Sequence, residues 1–184
     1  MSSPNDQVEP LVEHENLQSM VGLALARDDL GELFDEIGEQ ARRLVDAHYA
    51  VVVSYGEDGS IDTFVPGGIS DEEVHRIGQP FPRGAGVLGL LRGSSSPIVL
   101  DDVHQHPAFT GFPPGHPPMT SFLGVPIANS HGNIGAIYLA NKRGARRFTV
   151  EDERRVQGLA SLAGLAIERT RLLRRERHAR EEAE

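Results

Sequence analysis

Apolar residues recur at helical spacing near both ends of the chain. Near the amino terminus they predict an amphipathic helix over about residues 11–26 and a second helix over about 30–44. Near the carboxyl terminus a long helix is predicted to begin after Thr149, because this good N-cap residue is followed by acidic residues that the helix dipole favours. The apolar stripe of this helix ends near Leu173, and a charged segment follows.

Between these helices, runs rich in β-branched and aromatic residues predict strands that are joined as hairpins. AHYAVVVSY (47–55) and SIDTFV (60–65) flank the tight turn GEDG, and SFLGVPIAN (121–129) and IGAIYLANK (134–142) flank the turn SHGN. Because most strands pair through hairpins, the fold class is predicted to be α+β around an antiparallel sheet. One further strand is predicted at 97–102, and two short helices are predicted at 71–78 and 87–93.

Composition and charge narrow the classes of function. The chain has 184 residues, enough for one domain with a sizeable core, and its 39% hydrophobic and 24% charged residues are typical of globular proteins. The net charge of −9 argues against binding to nucleic acid. The absence of cysteine excludes disulfides and thiolate chemistry and fits a reducing cytoplasm. The sequence has no secretory signal and no apolar run of about 18 residues, so we expect a cytoplasmic protein without a membrane span.

The segment GFPPGHPPM (111–119) places four prolines around His116. Proline fixes φ and removes a backbone donor, so this segment is expected to be a stiff, extended loop. A rigidly held imidazole suits a metal or a haem iron. A rigid surface loop whose histidine faces water is the more common structure for such a segment, and the residues alone leave both interpretations open.

Two other patterns resemble binding motifs but lack the context that these motifs require. RGAGVLG (83–89) contains G-x-G-x-x-G, but no strand precedes it, as a dinucleotide site would need. His104 and His106 form an H-x-H pair without a third nearby ligand, which is more typical of a polar loop than of a metal site. Neither a nucleophile elbow nor a pair of catalytic carboxylates is evident, so no enzyme activity is predicted.

The motifs FLGVPI, IGAIYLANK and F-x-x-x-D-E, in this order of elements, resemble those of a GAF domain over about residues 15–175. The resemblance implies a GAF fold, in which the N- and C-terminal helices lie on one face of a central antiparallel sheet. Loops and short helices then form a ligand pocket on the other face. Residues 1–14 are expected to be a disordered tail, and residues 176–184 a charged helical extension.

The run LDDVHQHPAFTGFPPGHPPMTSFLGVPI is similar to the haem-binding GAF domains of the DevS/DosT-type dormancy sensor histidine kinases. This resemblance implies that His116 is the proximal ligand of haem b and the only metal ligand, and that Tyr138 lies on the distal side near a bound gas. A single imidazole leaves one iron position open, as the sensing of O2, NO or CO requires. The apolar wall of the pocket is predicted to come from Phe109, Phe112, Met119, Phe122 and Leu123.

Two other functions remain open at this stage. Asn141-Lys142, Phe148 and Asp152-Glu153 spell a signature that resembles cyclic-nucleotide-binding GAF domains, although an ion pair between Lys142 and Asp152 would also fasten the last hairpin to the last helix. Alternatively, the domain binds nothing and serves for dimerisation and coupling. In every case we expect a homodimer that pairs through its terminal helices, with a histidine kinase or another output module as the partner.

Overall fold

The computed structural model describes residues 30–77 and 86–183. Helix α1 spans Leu30–Leu44, and strands β1 (Ala47–Tyr55) and β2 (Ile61–Gly67) form the first predicted hairpin. The remaining elements are helix α2 (Asp71–Ile77), a 3-10 helix (Gly86–Gly93), strand β3 (Ile98–Leu100), a 3-10 helix (Val103–Gln105), strands β4 (Phe122–Asn129) and β5 (Gly132–Lys142), and helix α3 (Val150–Ala183).

The five strands form one sheet in the order β2-β1-β5-β4-β3, and every recorded pairing is antiparallel. The predicted α+β class and both predicted hairpins are therefore confirmed. Strand β5 lies at the centre, so Tyr138 has Val51 of β1 on one side and Gly124 of β4 on the other. The segment predicted as a helix at 87–93 is a 3-10 helix in the structure.

One face of the sheet, which we call the helix face, is covered by α1 and α3. Alternate residues of β1, β4 and β5 point to this face, as the two-residue period of a strand requires. Helices α1 and α3 contribute an apolar stripe each, and the result is a continuous buried core. Its largest fully buried side chains include Phe34, Ile37, Val52, Leu123, Val125, Ile127, Ile137, Leu139 and Ile167.

The opposite face of the sheet, which we call the cavity face, carries a second and smaller cluster. Its strand residues are the neighbours of those on the helix face, among them Val51, Val53, Tyr55 and Tyr138. Among the described residues, the segments that cover it are the two 3-10 helices, the proline-rich loop and the short helix α2. The helix face is covered by helices α1 and α3 and the cavity face by shorter segments, and this difference leaves room for a cavity.

Helix α3 begins with a reciprocal cap, as its sequence predicts. The backbone N–H of Thr149 donates to Asp152 Oδ2 at 2.8 Å, and the backbone N–H of Asp152 donates to Thr149 Oγ1 at 3.1 Å. Lys142 Nζ at the end of β5 donates to Asp152 Oδ1 at 2.8 Å and to the Val45 carbonyl at 2.9 Å. The ion pair thus fastens the last hairpin to the last helix.

The carboxyl-terminal helix is longer than its apolar stripe, because α3 continues through the charged extension to Ala183. The predicted tail at 1–14, the helix at about 11–26 and Gly84 of the glycine motif lie outside the described residues. Among the residues that are described, no helix is both long and apolar enough to cross a membrane.

Candidate functional site

A cavity of about 530 Å³ lies between the cavity face of the sheet and the segments that cover it. This volume is within the range of small-molecule sites, and the lining is mostly apolar. No Asp, Glu, Lys or Arg belongs to the described lining residues, and the polar side chains there include His116, Tyr138, Tyr49 and Thr110. The cavity therefore favours a largely apolar occupant that is oriented by a few polar contacts.

His116 lines this cavity with a half-buried imidazole, and its hydrogen bond defines the tautomer of the ring. Its Nδ1 lies 2.7 Å from the Pro117 carbonyl oxygen. A carbonyl oxygen only accepts, so Nδ1 must carry the proton and donate it. In the neutral ring this leaves the lone pair on Nε2. A metal-binding histidine whose other nitrogen is held by a carbonyl has this same tautomer.

Tyr138 supplies the second polar group of the site. Its hydroxyl donates to the Leu88 carbonyl oxygen at 2.5 Å and lies 3.1 Å from the Tyr55 hydroxyl. Because the single Tyr138 proton is given to Leu88, the Tyr55 hydroxyl must be the donor between the two phenols. The Tyr138 proton is thus already engaged, and an occupant of the cavity must compete with Leu88 for it.

Burial keeps both phenols neutral. It raises the pKa of Tyr138 far above its ordinary value, and the neighbouring Tyr55 adds to the shift. Burial also raises the pKa of Tyr55, although the hydrogen bond to Tyr138 and the charge of Arg92 act in the opposite direction. At neutral pH both groups therefore act only as hydrogen-bonding hydroxyls.

Four of the five predicted wall residues line the cavity, and one does not. Phe112 and Met119 come from the proline-rich loop at 111–119, Phe109 comes from the segment just before it, and Phe122 comes from the start of β4. The prediction for Leu123 is wrong: its side chain is fully buried in the core of the helix face. Successive strand residues point to opposite faces, so Phe122 and Leu123 cannot both face the cavity. The alternation in FLGVPI already carried this signal.

Other walls of the cavity were missed at the sequence level. They come from strands β1 and β2, from helix α2 and from the link between β2 and α2, and they include Val51, Phe64, Ile69, Val74 and Ile77. The Tyr55 hydroxyl was also missed, although its partner Tyr138 was predicted. Strand alternation in VVVSY would have assigned Val51, Val53 and Tyr55 to one face, but it does not say which face holds a cavity.

The hydrogen bonds of the H-x-H pair at 104–106 are local. His104 Nδ1 lies 2.7 Å from Asp102 Oδ1, while His106 Nδ1 accepts from the Ala108 backbone N–H at 3.1 Å. Within residues 30–77 and 86–183, no group of three or more His, Asp or Glu side chains has the arrangement of a metal site. A metal bound through protein ligands alone therefore has no support from this part of the chain.

The charged pair of the nucleotide-like signature does not belong to the described lining of the cavity. Lys142 and Asp152 are bound to each other, and neither is among the described residues that line the cavity. Burial alone would raise the pKa of Asp152, but hydrogen bonds from Lys142 and Thr149 and the charge of Lys142 outweigh it and hold this pKa below its ordinary value. The pair has a structural role at the start of α3.

The order of elements and the signature motifs agree with one protein family. A family profile described as the GAF domain matches residues 27–168, which is more than half of the chain. The chain belongs to the GAF domain family. Its capped last helix, its five-stranded antiparallel sheet and its cavity opposite the terminal helix are thus parts of a GAF fold.

Solved structures of GAF domains support this architecture. The GAF domain of a phosphoenolpyruvate-protein phosphotransferase from Coxiella burnetii is 22% identical, with a TM-score of 0.68 over 86% of this chain and 94% of that one. The GAF domain of a putative sensor histidine kinase from Pseudomonas syringae pv. tomato is 16% identical, with a TM-score of 0.60 over 96% and 99%. A free methionine-R-sulfoxide reductase from Neisseria meningitidis, solved with its substrate, is 15% identical, with a TM-score of 0.67 over 94% and 96%. At these identities the likeness concerns the fold.

Proposed function

We propose that this GAF domain is a non-catalytic sensory module that binds haem b through Nε2 of His116. The observation that carries the proposal is the tautomer of His116, whose Nδ1 proton is held by the Pro117 carbonyl while the ring lines an apolar cavity. When bound, haem supplies an iron position at which a diatomic gas such as O2, NO or CO binds. Sensor histidine kinases among the structural relatives agree with a sensory role.

The described residues fit the group in their chemistry. The apolar lining from β1, β2, α2 and the proline-rich loop suits a porphyrin, and a neutral imidazole suits the iron. No Lys or Arg belongs to the described lining residues, so the two carboxylates of haem would have to be solvated by water. Tyr138 would offer its hydroxyl proton to a polar occupant of the cavity in place of the Leu88 carbonyl oxygen, which accepts it in this structure.

The decisive experiment is the absorbance spectrum of the full chain after reconstitution with haem. We expect a Soret band from the parent, and no stoichiometric band from His116→Ala. The matched control is His131→Ala, because His131 is an exposed histidine in the turn between β4 and β5. A His116→Gly variant should regain the band when free imidazole is added, because the cavity then admits a substitute ligand. Equal haem binding by the parent and His116→Ala would refute the proposal.

Tyr138→Phe tests the role of the distal hydroxyl. This variant keeps the ring and removes the donor, so we expect it to retain haem but to change O2 affinity or the rate of autoxidation. CO affinity should change less, because bound CO is a weaker acceptor. If cAMP or cGMP raises the melting temperature of the parent while haem gives no Soret band, the cyclic-nucleotide alternative is correct instead. A response to neither would favour a ligand-free coupling module.

We further propose that the signal leaves through helix α3 of a homodimer, with a histidine kinase or another output module as its partner. Leu165 and Leu172 are 66% and 58% exposed on α3, seven residues apart, which is the spacing of a coiled-coil seam. Light scattering at about 100 μM should show a dimer for the parent and a monomer for the Leu165→Glu, Leu172→Glu double variant. A parent that stays monomeric would exclude this assembly.

A further inference from the structure

The proline-rich loop contains a turn that folds Phe112 back onto His116. The His116 backbone N–H donates to the Pro113 carbonyl at 3.1 Å, which closes a four-residue turn. Pro114 occupies its second position and Gly115, with φ of +80°, occupies its third. Proline followed by a residue with positive φ is the pattern of a type II turn, so the sequence F-P-P-G-H encodes this reversal directly.

Phe112, which precedes this turn, stacks on His116, the last residue of the turn. The ring centroids of Phe112 and His116 are 4.4 Å apart, and the ring planes differ by 1°. Phe112 is itself held edge-on by Phe109 at 5.0 Å and by His104 at 5.7 Å. Phe112 is therefore fixed by its neighbours, and it restricts the rotation of the His116 ring in turn.

This stack leaves the ligand atom of His116 available. The lone pair of Nε2 lies in the plane of the imidazole, whereas Phe112 covers a face of the ring and Pro117 holds the Nδ1 edge. A metal therefore approaches along a direction that neither neighbour occupies. Each contact removes a different freedom of the ring: Pro117 sets the tautomer, and Phe112 sets the plane.

We propose that Phe112 is a positioning residue that sets the plane of the His116 ring for a metal centre, through the type II turn between them. This inference rests on the proposed haem site, because the positioned lone pair needs an iron to bind. Residues that orient a metal ligand commonly change metal affinity 10- to 100-fold when they are replaced. We expect a loss in this range when the Phe112 ring is removed.

The first test uses the full chain without haem. In NMR spectra of the imidazole groups, assigned by comparison with His116→Ala, the ring protons of His116 should show an upfield shift from the stacked Phe112. Phe112→Leu should abolish this shift, and Phe112→Tyr should preserve it. Gly115→Ala should also abolish it without altering either ring, since a Cβ there is strained at positive φ and lies 2.8 Å from the Arg76 carbonyl oxygen.

The second test measures the rate of haem dissociation. Phe112→Leu and Gly115→Ala should lose haem about 10- to 100-fold faster than the parent, and Phe112→Tyr should resemble the parent. The comparison variant is Phe122→Leu, which removes a ring from the same cavity wall and should also speed haem loss, but less than Phe112→Leu does, because its ring contacts Tyr138 and not His116. A positioning role also predicts that Phe112→Leu shifts the iron–histidine stretching band in resonance Raman spectra, whereas Phe122→Leu leaves it in place.

The outcomes separate this inference from the function on which it rests. If the parent binds no haem, the proposed function fails, while the NMR shifts still decide whether Phe112 holds the ring. If the parent binds haem through His116 but Phe112→Leu and Phe122→Leu release it equally fast, the cavity site stands and the positioning role is overturned. An unchanged His116 shift in Phe112→Leu would overturn the positioning role on its own.

Discussion

The helix face and the cavity face share the same strands but are closed by different kinds of segment. Val52 and Val51 are neighbours in β1; Val52 is fully buried under the helices, while Val51 lines the cavity. Two amphipathic helices present continuous apolar stripes and pack the helix face to high density. The 3-10 helices and the proline-rich loop cannot pack the cavity face in this way, because short segments and segments rich in proline have no continuous apolar stripe.

This difference assigns separate tasks to the two faces. The helix face supplies most of the buried apolar area and hence most of the stability, whereas the cavity face keeps space and a few fixed polar groups. Polar side chains are engaged on both sides, by Lys142–Asp152 at the helix face and by Tyr55–Tyr138 at the cavity face. Substitutions on the helix face should therefore lower the stability of the fold, whereas matched substitutions on the cavity face should mainly alter ligand binding.

The largest loss of stability is expected for Asp152→Ala, which removes one partner of the buried ion pair at the helix face. Asp152 and Lys142 side chains are 6% and 15% exposed, so the variant leaves a buried ammonium group without its counter-charge. We expect about 3 kcal/mol of destabilisation in urea unfolding followed by circular dichroism. The neighbouring control, Glu151→Ala, breaks an exposed pair with Arg155 and should cost less than about 0.5 kcal/mol.

The same variant has a predicted pH dependence. Contacts with Lys142 and Thr149 hold the pKa of Asp152 below its ordinary value, so the folded state binds this proton less readily than the unfolded chain does. The contribution of Asp152 is therefore complete above the unfolded pKa of about 4 and is lost as the pH falls through the folded value. The deficit of Asp152→Ala should shrink in acid. A deficit that stays constant down to about pH 3 would contradict this account.

A smaller effect is expected from the two valines that compare the faces directly. Val52→Ala opens a hole in the packed core and should cost about 2 kcal/mol. Val51→Ala only enlarges an existing cavity, and we expect less than about 1 kcal/mol from the same change of side chain. The comparison is made by the difference in urea midpoints at constant slope. Equal losses would mean that the cavity face is packed as tightly as the helix face.

The sequence predicts most of the fold because the signals for it are local. Thr149 and the acidic residues after it mark the start of α3, and the alternating runs around the two turns mark the hairpins. The Lys142–Asp152 pair was foreseeable for the same reason, since its members end and begin adjacent elements. The Leu123 error shows that even a local rule must be applied residue by residue.

The site was less predictable because its contacts join distant parts of the chain. Tyr55 and Tyr138 are 83 positions apart, and nothing near either residue indicates that their hydroxyls meet. The walls from β2 and α2 depend on which face the loops leave open. The Phe112–His116 stack is local, and F-P-P-G-H does predict the turn, but the orientation of two rings is a matter of side-chain packing.

The smallest effect is expected at the paired phenols of the cavity face. Tyr138→Phe leaves the Leu88 carbonyl without its donor and the Tyr55 hydroxyl without its acceptor, which should cost about 1 kcal/mol in urea unfolding. Tyr55→Phe removes only the hydrogen bond between the two phenols and should cost less.

The two phenols also predict a loss of stability in alkali. Because burial raises the pKa of both phenols, they stay neutral in the folded state while the unfolded chain ionises above about pH 10. Stability should thus fall as the pH rises past about 10, and this fall should be smaller in Tyr138→Phe. Tyr49→Phe, which lies in the same cavity but outside this pair of hydroxyls, is the control for the cost at neutral pH only, because burial raises the pKa of Tyr49 as well. If the Tyr55→Phe and Tyr138→Phe losses are simply additive in the double variant, the hydroxyls do not interact and this face has no ordered polar pair.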